Sequence, residues 1–128
     1  MDNVWVRYVM LAIGGSFGTI ARYEISRLVQ ARFPGDHPWG TFFVNVSGCL
    51  VMGFATSLLS ERFPVVAHWR YLVLIGFLGA YTTFSTFALD LFRAHTSGAW
   101  LVAGAYLIGS VACGYAALWA GIMLGRAI

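Results

Sequence analysis

Three uncharged runs dominate the chain: Pro38 to Ser60, Tyr71 to Leu89 and Thr96 to Gly125 contain no Asp, Glu, Lys or Arg. Each meets the roughly 17–25 residues that a bilayer-spanning helix requires. A fourth stretch is less uniform, since between Arg7 and Arg22 only Tyr8 to Ala21 is uncharged. An arginine near a helix end can lay its stem along the apolar layer and place its head at the interface, which lengthens the span. The apolar pattern continues through Leu28, so a helix is expected from about Val4 to Phe33. Polar breaks at Arg32 to Pro38, Glu61 to Arg70 and Arg93 to Gly98 separate the four. The expected fold is an all-α integral membrane protein, a single transmembrane domain over residues 1–128 with helices near 4–33, 39–60, 71–92 and 99–125.

Composition excludes the main alternative. Hydrophobic residues make up 59% of the 128 and charged residues only 10%, whereas a soluble domain carries about a quarter charged residues. The excess must face something apolar, and lipid is the natural candidate. All eight basic residues are Arg, and the net charge of +3 is scattered. No basic run suits nucleic acid, and the high isoelectric point reflects few acids. With four spans, both termini lie on one side, together with Arg7, Arg62, Arg70 and Arg126; Arg22, Arg27, Arg32 and Arg93 fall toward the other. The positive-inside rule needs a bias, and four against four supplies none. A chain without a preferred orientation can insert both ways, which makes an antiparallel dimer with its two-fold axis in the membrane plane physically plausible; the alternative is that another determinant fixes one orientation.

Several motifs read as structural. Cys49 and Cys113 lie in separate apolar stretches without metal-ligand spacing, so both are expected to be packing residues. The sequon Asn45-Val46-Ser47 falls mid-membrane, out of reach of glycosylation. The amino terminus lacks a small-residue cleavage motif and is not expected to be a signal peptide. The pairs Gly14 and Gly18, Ser110 and Gly114, and Gly121 and Gly125 have the four-residue spacing that lets helix backbones approach closely in lipid.

Other residues can carry function. Arg22 places a guanidinium within a span, where it needs a carbonyl, an acid or water; Glu24 is too near in sequence to face it well. Asn45 puts a carboxamide in the second span, able either to join two helices or to offer N–H groups to an anion. The densest signal is Gly76-Phe77-Leu78-Gly79-Ala80-Tyr81-Thr82-Thr83-Phe84-Ser85-Thr86-Phe87. Low helix propensity and side chains that bond to backbone predict a break over Gly79 to Thr83, close to the membrane midplane. Irregular backbone at that depth belongs inside protein or beside a polar cavity, and its free carbonyls commonly coordinate cations. Phe84 and Phe87 share a face; two Phe at this spacing are more often plain packing residues, but an aromatic edge attracts an anion weakly. Tyr106, Ser110 and Gly114 form a stripe on the fourth helix. Neutral donors with almost no acids suit an anion path better than a cation path.

At this third block the sequence resembles the Fluc family of fluoride channels, also called CrcB. The family pattern, roughly G-F-x-G-G-x-T-T-F-S-T-F, reappears as GFLGAYTTFSTF, supported by GGSFGTIARY around Arg22, GTFFVNVSG around Asn45 and the small-residue fourth helix. The resemblance covers essentially the whole chain. It implies an antiparallel, dual-topology homodimer in the bacterial inner membrane, with two pores that passively export cytoplasmic fluoride. It also implies that Asn45 donates to fluoride and that Phe84 and Phe87 line the pores by their ring edges. Thr83, Ser85, Thr86, Tyr106 and Ser110 would form a polar track, and Arg22 would lie near a pore vestibule. Backbone carbonyls of Gly79 and Thr82 from both subunits would hold a structural Na⁺ that is not transported.

The chain departs from the pattern at two positions. Ala80 stands where a second glycine is usual, and Tyr81 replaces a more apolar residue. Coordination by the carbonyls survives Ala80 provided its φ stays negative. Two other functions compete: a small proton-coupled exporter, which needs a mid-membrane acid where only Glu24 is near, and a non-transporting assembly protein in which the polar residues are helix glue. A membrane enzyme is disfavoured, because His37, His68 and His95 sit in loops without a cluster for a metal site or triad.

Overall fold

The computed structural model describes residues 3–62 and 67–128, so the loop expected between Glu61 and Arg70 lies partly outside the described residues. The described chain contains four helical spans long and apolar enough to cross a membrane: Val4–Arg32, Trp39–Leu59, Arg70–Thr96 and Trp100–Ala127. Lipid offers no partner to a backbone N–H or C=O, so an apolar run of this length closes its hydrogen bonds within itself.

Helix α1 (Val4–Arg32) starts where the Asn3 side chain accepts from the Trp5 N–H at 3.0 Å, the usual duty of an N-cap asparagine. It stops before Pro34, and the turn behind it uses Gly35 at φ +130°, a backbone state that L side chains rarely adopt. Helix α2 (Trp39–Thr56) continues into a wider π-helical turn, Ser57–Arg62. The third span has two halves. Arg70–Leu78 is π-helical and closes through one α-turn, Gly79–Tyr81, whereas Phe84–Thr96 is a regular helix, α3. Between the halves Thr82 (φ −83°, ψ 158°) and Thr83 (φ −149°, ψ 118°) are extended. The helix break is therefore narrower than the five residues the composition suggests. Ala80 remains in the helical turn, and no described non-glycine residue has positive φ. Helix α4 (Trp100–Ala127) follows a turn through Gly98 at φ +81°.

Packing joins the spans in two close pairs. A methyl group added at Gly14 would strike the carbonyl oxygen of Leu72, and one at Gly18 the carbonyl oxygen of Phe77, so α1 lies directly on the backbone of the third span's first half. The second pair is reciprocal: Gly53 of α2 faces the Leu118 carbonyl of α4, while Gly121 of α4 faces the Leu50 carbonyl of α2. Such approach favours dispersion and weak Cα–H···O contacts, the forces left when no hydrophobic effect drives helices together. Gly14, Gly18 and Gly121 were readable from their spacing; Gly53 was not, because no glycine stands four residues from it.

The apolar interior is small and centres on Val44, Leu74, Leu78 and Tyr81. Large hydrophobic residues such as Trp5, Phe17, Leu101 and Ile108 point outward instead. In water that surface would aggregate; in a bilayer it is the expected exterior.

Candidate functional site

The site grows from the break. Thr82 still closes a backbone bond to the Leu78 carbonyl at 3.1 Å, and its hydroxyl donates to the same oxygen at 3.0 Å. At Thr83 the helix gives out, and α2 takes over. The Thr83 N–H donates to Asn45 Oδ1 at 2.8 Å, and Asn45 Nδ2 donates to the Thr83 carbonyl at 3.0 Å. Thr83 then caps α3: its Oγ1 accepts from the Thr86 N–H at 3.2 Å and donates to Thr86 Oγ1 at 3.0 Å. Since Thr86 Oγ1 accepts there, its own proton is free to be given elsewhere. Ser85 is exposed and stands 3.5 Å from the Thr83 hydroxyl.

These bonds also strip two carbonyls of their helical partners. The N–H four residues beyond Gly79 belongs to Thr83 and is turned to Asn45; the one beyond Thr82 belongs to Thr86 and is turned to the Thr83 hydroxyl. Neutral carbonyl oxygens of this kind suit a hard monovalent cation. Among the described residues no three His, Cys, Asp or Glu side chains converge in a way that could hold a metal ion.

A cavity of about 1200 Å³ opens beside the break. Arg27, Asp36, His37 and Arg93 line its mouth, and it descends past Asp90 and Thr41 to Arg22, Thr86 and Thr83. The mouth is shaped by Gln30, whose Nε2 donates to the carbonyls of His37 (3.0 Å) and Gly35 (3.2 Å) while its Oε1 accepts from the Gly40 N–H at 3.3 Å. Three arginines and two aspartates line the cavity. Arg27 is occupied by Glu24 at 2.7 Å, and Arg93 stands 3.9 Å from Asp90. Arg22 instead donates to the neutral Thr82 carbonyl at 3.5 Å, so its charge is the least compensated of the three. Thr41 donates to Asp90 Oδ2 at 2.7 Å. Sequence reasoning passed over both residues. The signal existed for Asp90, which falls seven residues after Thr83 and four after Thr86, on the same helix face.

The aromatic residues divide. Phe87 is 7% exposed and packs on Tyr106 with ring centroids 5.1 Å apart; Phe84 is 80% exposed and touches Phe87 at 5.8 Å. On α4 the hydroxyls of Tyr106 and Ser110 are buried without a hydrogen-bond partner within the described chain. A smaller apolar cavity of about 320 Å³ runs along Tyr106, Gly109 and Phe42. Thus Asn45, Thr83, Ser85 and Thr86 gather at the break, Phe87 joins Tyr106, Arg22 reaches Thr82, and Ser110 stands apart with its donor unused.

Residues 9–122 match the family model described as CrcB-like protein, Camphor Resistance (CrcB). The chain belongs to the CrcB family. Among CrcB relatives, the fluoride-specific ion channel FluC of Solibacter usitatus is 41% identical over 121 residues, covering 94% of this chain and 99% of that protein. The FluC protein of Nitratidesulfovibrio vulgaris is 40% identical over 122 residues, 95% of this chain and 98% of its own length. That of Nitrosococcus oceani is 37% identical over 125 residues, covering 98% and 100%. These relatives are named as ion channels, which are not enzymes. With its four spans, this CrcB chain is a multi-pass bacterial membrane protein.

Proposed function

We propose that the chain is a passive, fluoride-selective channel that exports fluoride from the cytoplasm across the bacterial inner membrane. The observation that carries this reading is the cavity that descends from one face to the hydroxyls of Thr83 and Thr86 at the break, where Asn45 braces Thr83 from behind the lining. Its deepest polar groups are neutral apart from Arg22, and a permeant anion needs donors that it can also leave. The FluC names of the relatives support the choice of fluoride.

Asn45 retains one amide hydrogen beyond the bond to Thr83, so bracing the break and donating to fluoride are compatible. Thr83, Ser85 and Thr86, with the unpartnered Tyr106 and Ser110, form the polar track, and the ring edges of Phe84 and Phe87 line it. Arg22 raises the anion concentration at the foot of the vestibule.

An antiparallel homodimer completes the path. A second copy inserted upside down presents its own cavity to the opposite face, which the balanced arginines permit, and gives two pores related by symmetry. At the centre, the carbonyls of Gly79 and Thr82 from both copies would hold a structural sodium ion. The donor set fits, since both oxygens have lost their helical N–H. Arg22 donates to the Thr82 oxygen at 3.5 Å, which still has a second lone pair to offer. The ion's contribution is to neutralise crowded carbonyl dipoles; it is not transported.

One observation bears on the exporter alternative: Asp90 lies in the cavity, where a proton-coupled carrier wants an acid. It sits toward the mouth, however, and Thr41 and Arg93 already engage it. Fluoride efflux from liposomes carrying purified protein, against a chloride-loaded control, tests the reading. Rapid electrogenic fluoride release with negligible chloride release is expected. No fluoride release from folded protein in sodium-containing buffer would overturn it.

A further inference from the structure

Tyr81, one of the two departures from the family pattern, occupies a seat built by α2. It is the last residue of the helical turn before the extended pair, and it is 6% exposed. Its ring lies over Gly48: a methyl group there would stand 3.2 Å from Tyr81 Cδ1 and would collide with the Thr82 methyl. Phe77 stacks on the ring with centroids 6.0 Å apart and planes within 5° of parallel. The Tyr81 hydroxyl lies 2.8 Å from Ser47 Oγ. Ser47 has a single proton, given to the Phe43 carbonyl at 2.7 Å, so Tyr81 is the donor and Ser47 the acceptor.

Two rungs therefore tie α2 to the third span on either side of Thr82: Ser47 with Tyr81, and Asn45 with Thr83. Ala80 is met in the same way from α1, where its methyl group lies 3.1 Å from the position a Cβ of Gly18 would take. An extended pair has no ladder of its own to hold its height, so the rungs fix it. Thr82 is tied to Leu78 of its own span and to Arg22 of α1, so against α2 the segment would pivot about Asn45 alone; Tyr81 supplies the second point.

Taking the fluoride-channel function as its basis, we propose that Tyr81 is a positioning residue for permeation: through Ser47 it sets the height of the Thr82–Thr83 break against Asn45. The donors at Thr83 and Thr86 and the spare N–H of Asn45 are then held in register, which a close-fitting ion path requires.

The test is single-channel recording of Tyr81→Phe, Ser47→Ala and the double variant in planar bilayers. Tyr81→Phe keeps the ring and its stacking and removes only the hydroxyl. A variant that merely folds less well yields fewer channels with unaltered unitary current. A displaced break alters the current of each channel. Each single variant is expected to change the unitary fluoride conductance by about threefold to tenfold, the range set by one lost buried hydrogen bond, and the double variant no more than either. Wild-type unitary conductance in Tyr81→Phe, or single effects that multiply in the double variant, would overturn the proposal. Hydrogen exchange at the Thr82 and Thr83 amides reads the same rung without any ion. Faster exchange in Tyr81→Phe supports it, and unchanged exchange overturns it. If wild-type protein carries no fluoride current, the channel function has failed and the exchange measurement alone judges Tyr81.

Discussion

The Asn45 carboxamide engages both backbone polar groups of Thr83, accepting from its N–H at 2.8 Å and donating to its carbonyl at 3.0 Å across 38 residues of chain. It acts as one rung of a sheet partner supplied by a helix. Without it, two backbone groups would stand unpaired at mid-membrane depth.

Asn45→Ala is expected to lower unfolding stability in detergent or bicelles by about 2–5 kcal/mol, the cost of two buried groups left unmade. Fluoride efflux from the remaining folded protein should fall as well. Wild-type stability in this variant would show that water or a rearranged neighbour replaces the amide.

Asn45→Asp carries a distinct pH signature. The protonated acid can accept from the Thr83 N–H and donate to its carbonyl, whereas the carboxylate sets an oxygen against an oxygen. Folding therefore favours the neutral form and raises the acid's pKa above its ordinary value near 4. Stability should be greatest below about pH 4 and should decline as pH rises through the raised pKa. A melting temperature independent of pH, measured against the wild-type baseline, would contradict the two-way bond.

Gly14 and Gly15 make a matched pair. A methyl group at Gly14 meets the Leu72 carbonyl oxygen, while one at Gly15 meets nothing within 4 Å. Gly14→Ala is expected to destabilise by about 1–3 kcal/mol through overpacking. Gly15→Ala should be neutral or slightly stabilising, since alanine is the better helix former. Thermal melts of both variants in one detergent check the contrast.

Arg22→Gln removes the cavity's least compensated charge and its bond to the Thr82 carbonyl. Fluoride efflux at low ionic strength should fall by about tenfold, with a smaller deficit at high salt, because the lost term is electrostatic concentration of the anion. A deficit that does not vary with salt would assign Arg22 a purely structural role at Thr82.

Gly79 has no need to be glycine within a single copy. It is helical at φ −63°, and an added methyl group would meet only the Leu74 carbonyl oxygen, at 3.9 Å. Gly79→Ala should keep the fold of the chain yet weaken the proposed dimer and its response to sodium. Subunit capture in bilayers, with sodium replaced by a bulky organic cation as control, measures this. Unchanged association would remove Gly79 from the dimer centre.

Much of this arrangement is legible in the sequence. The uncharged runs mark four spans because lipid tolerates little else, and the hydroxyl-rich string after Gly79 marks the break because its residues prefer other backbone partners. What the pattern left open was how the break is held. Asn45 could be glue or anion donor on sequence grounds, and the choice of Thr83 as its partner depends on how α2 crosses the third span. The π-helical stretch from Arg70 to Leu78 left no trace in hydrophobic periodicity either. Tyr81 looked like an irregularity because its acceptor, Ser47, and its floor, Gly48, lie more than thirty residues away.

The glycine-to-carbonyl contacts have a mechanical consequence. Where a carbonyl oxygen fills the place of a missing methyl group, two helices cannot slide or roll without collision, so α1 with the first half of the third span forms one welded plate and α2 with α4 another, pinned to each other in the same way where Gly40 of α2 meets the Ser26 carbonyl of α1. The side-chain bonds that link the plates midway along the spans run through Asn45 and Ser47. Away from the Gly40 contact that seam is where the molecule can flex, and the proposed ion path lies along it.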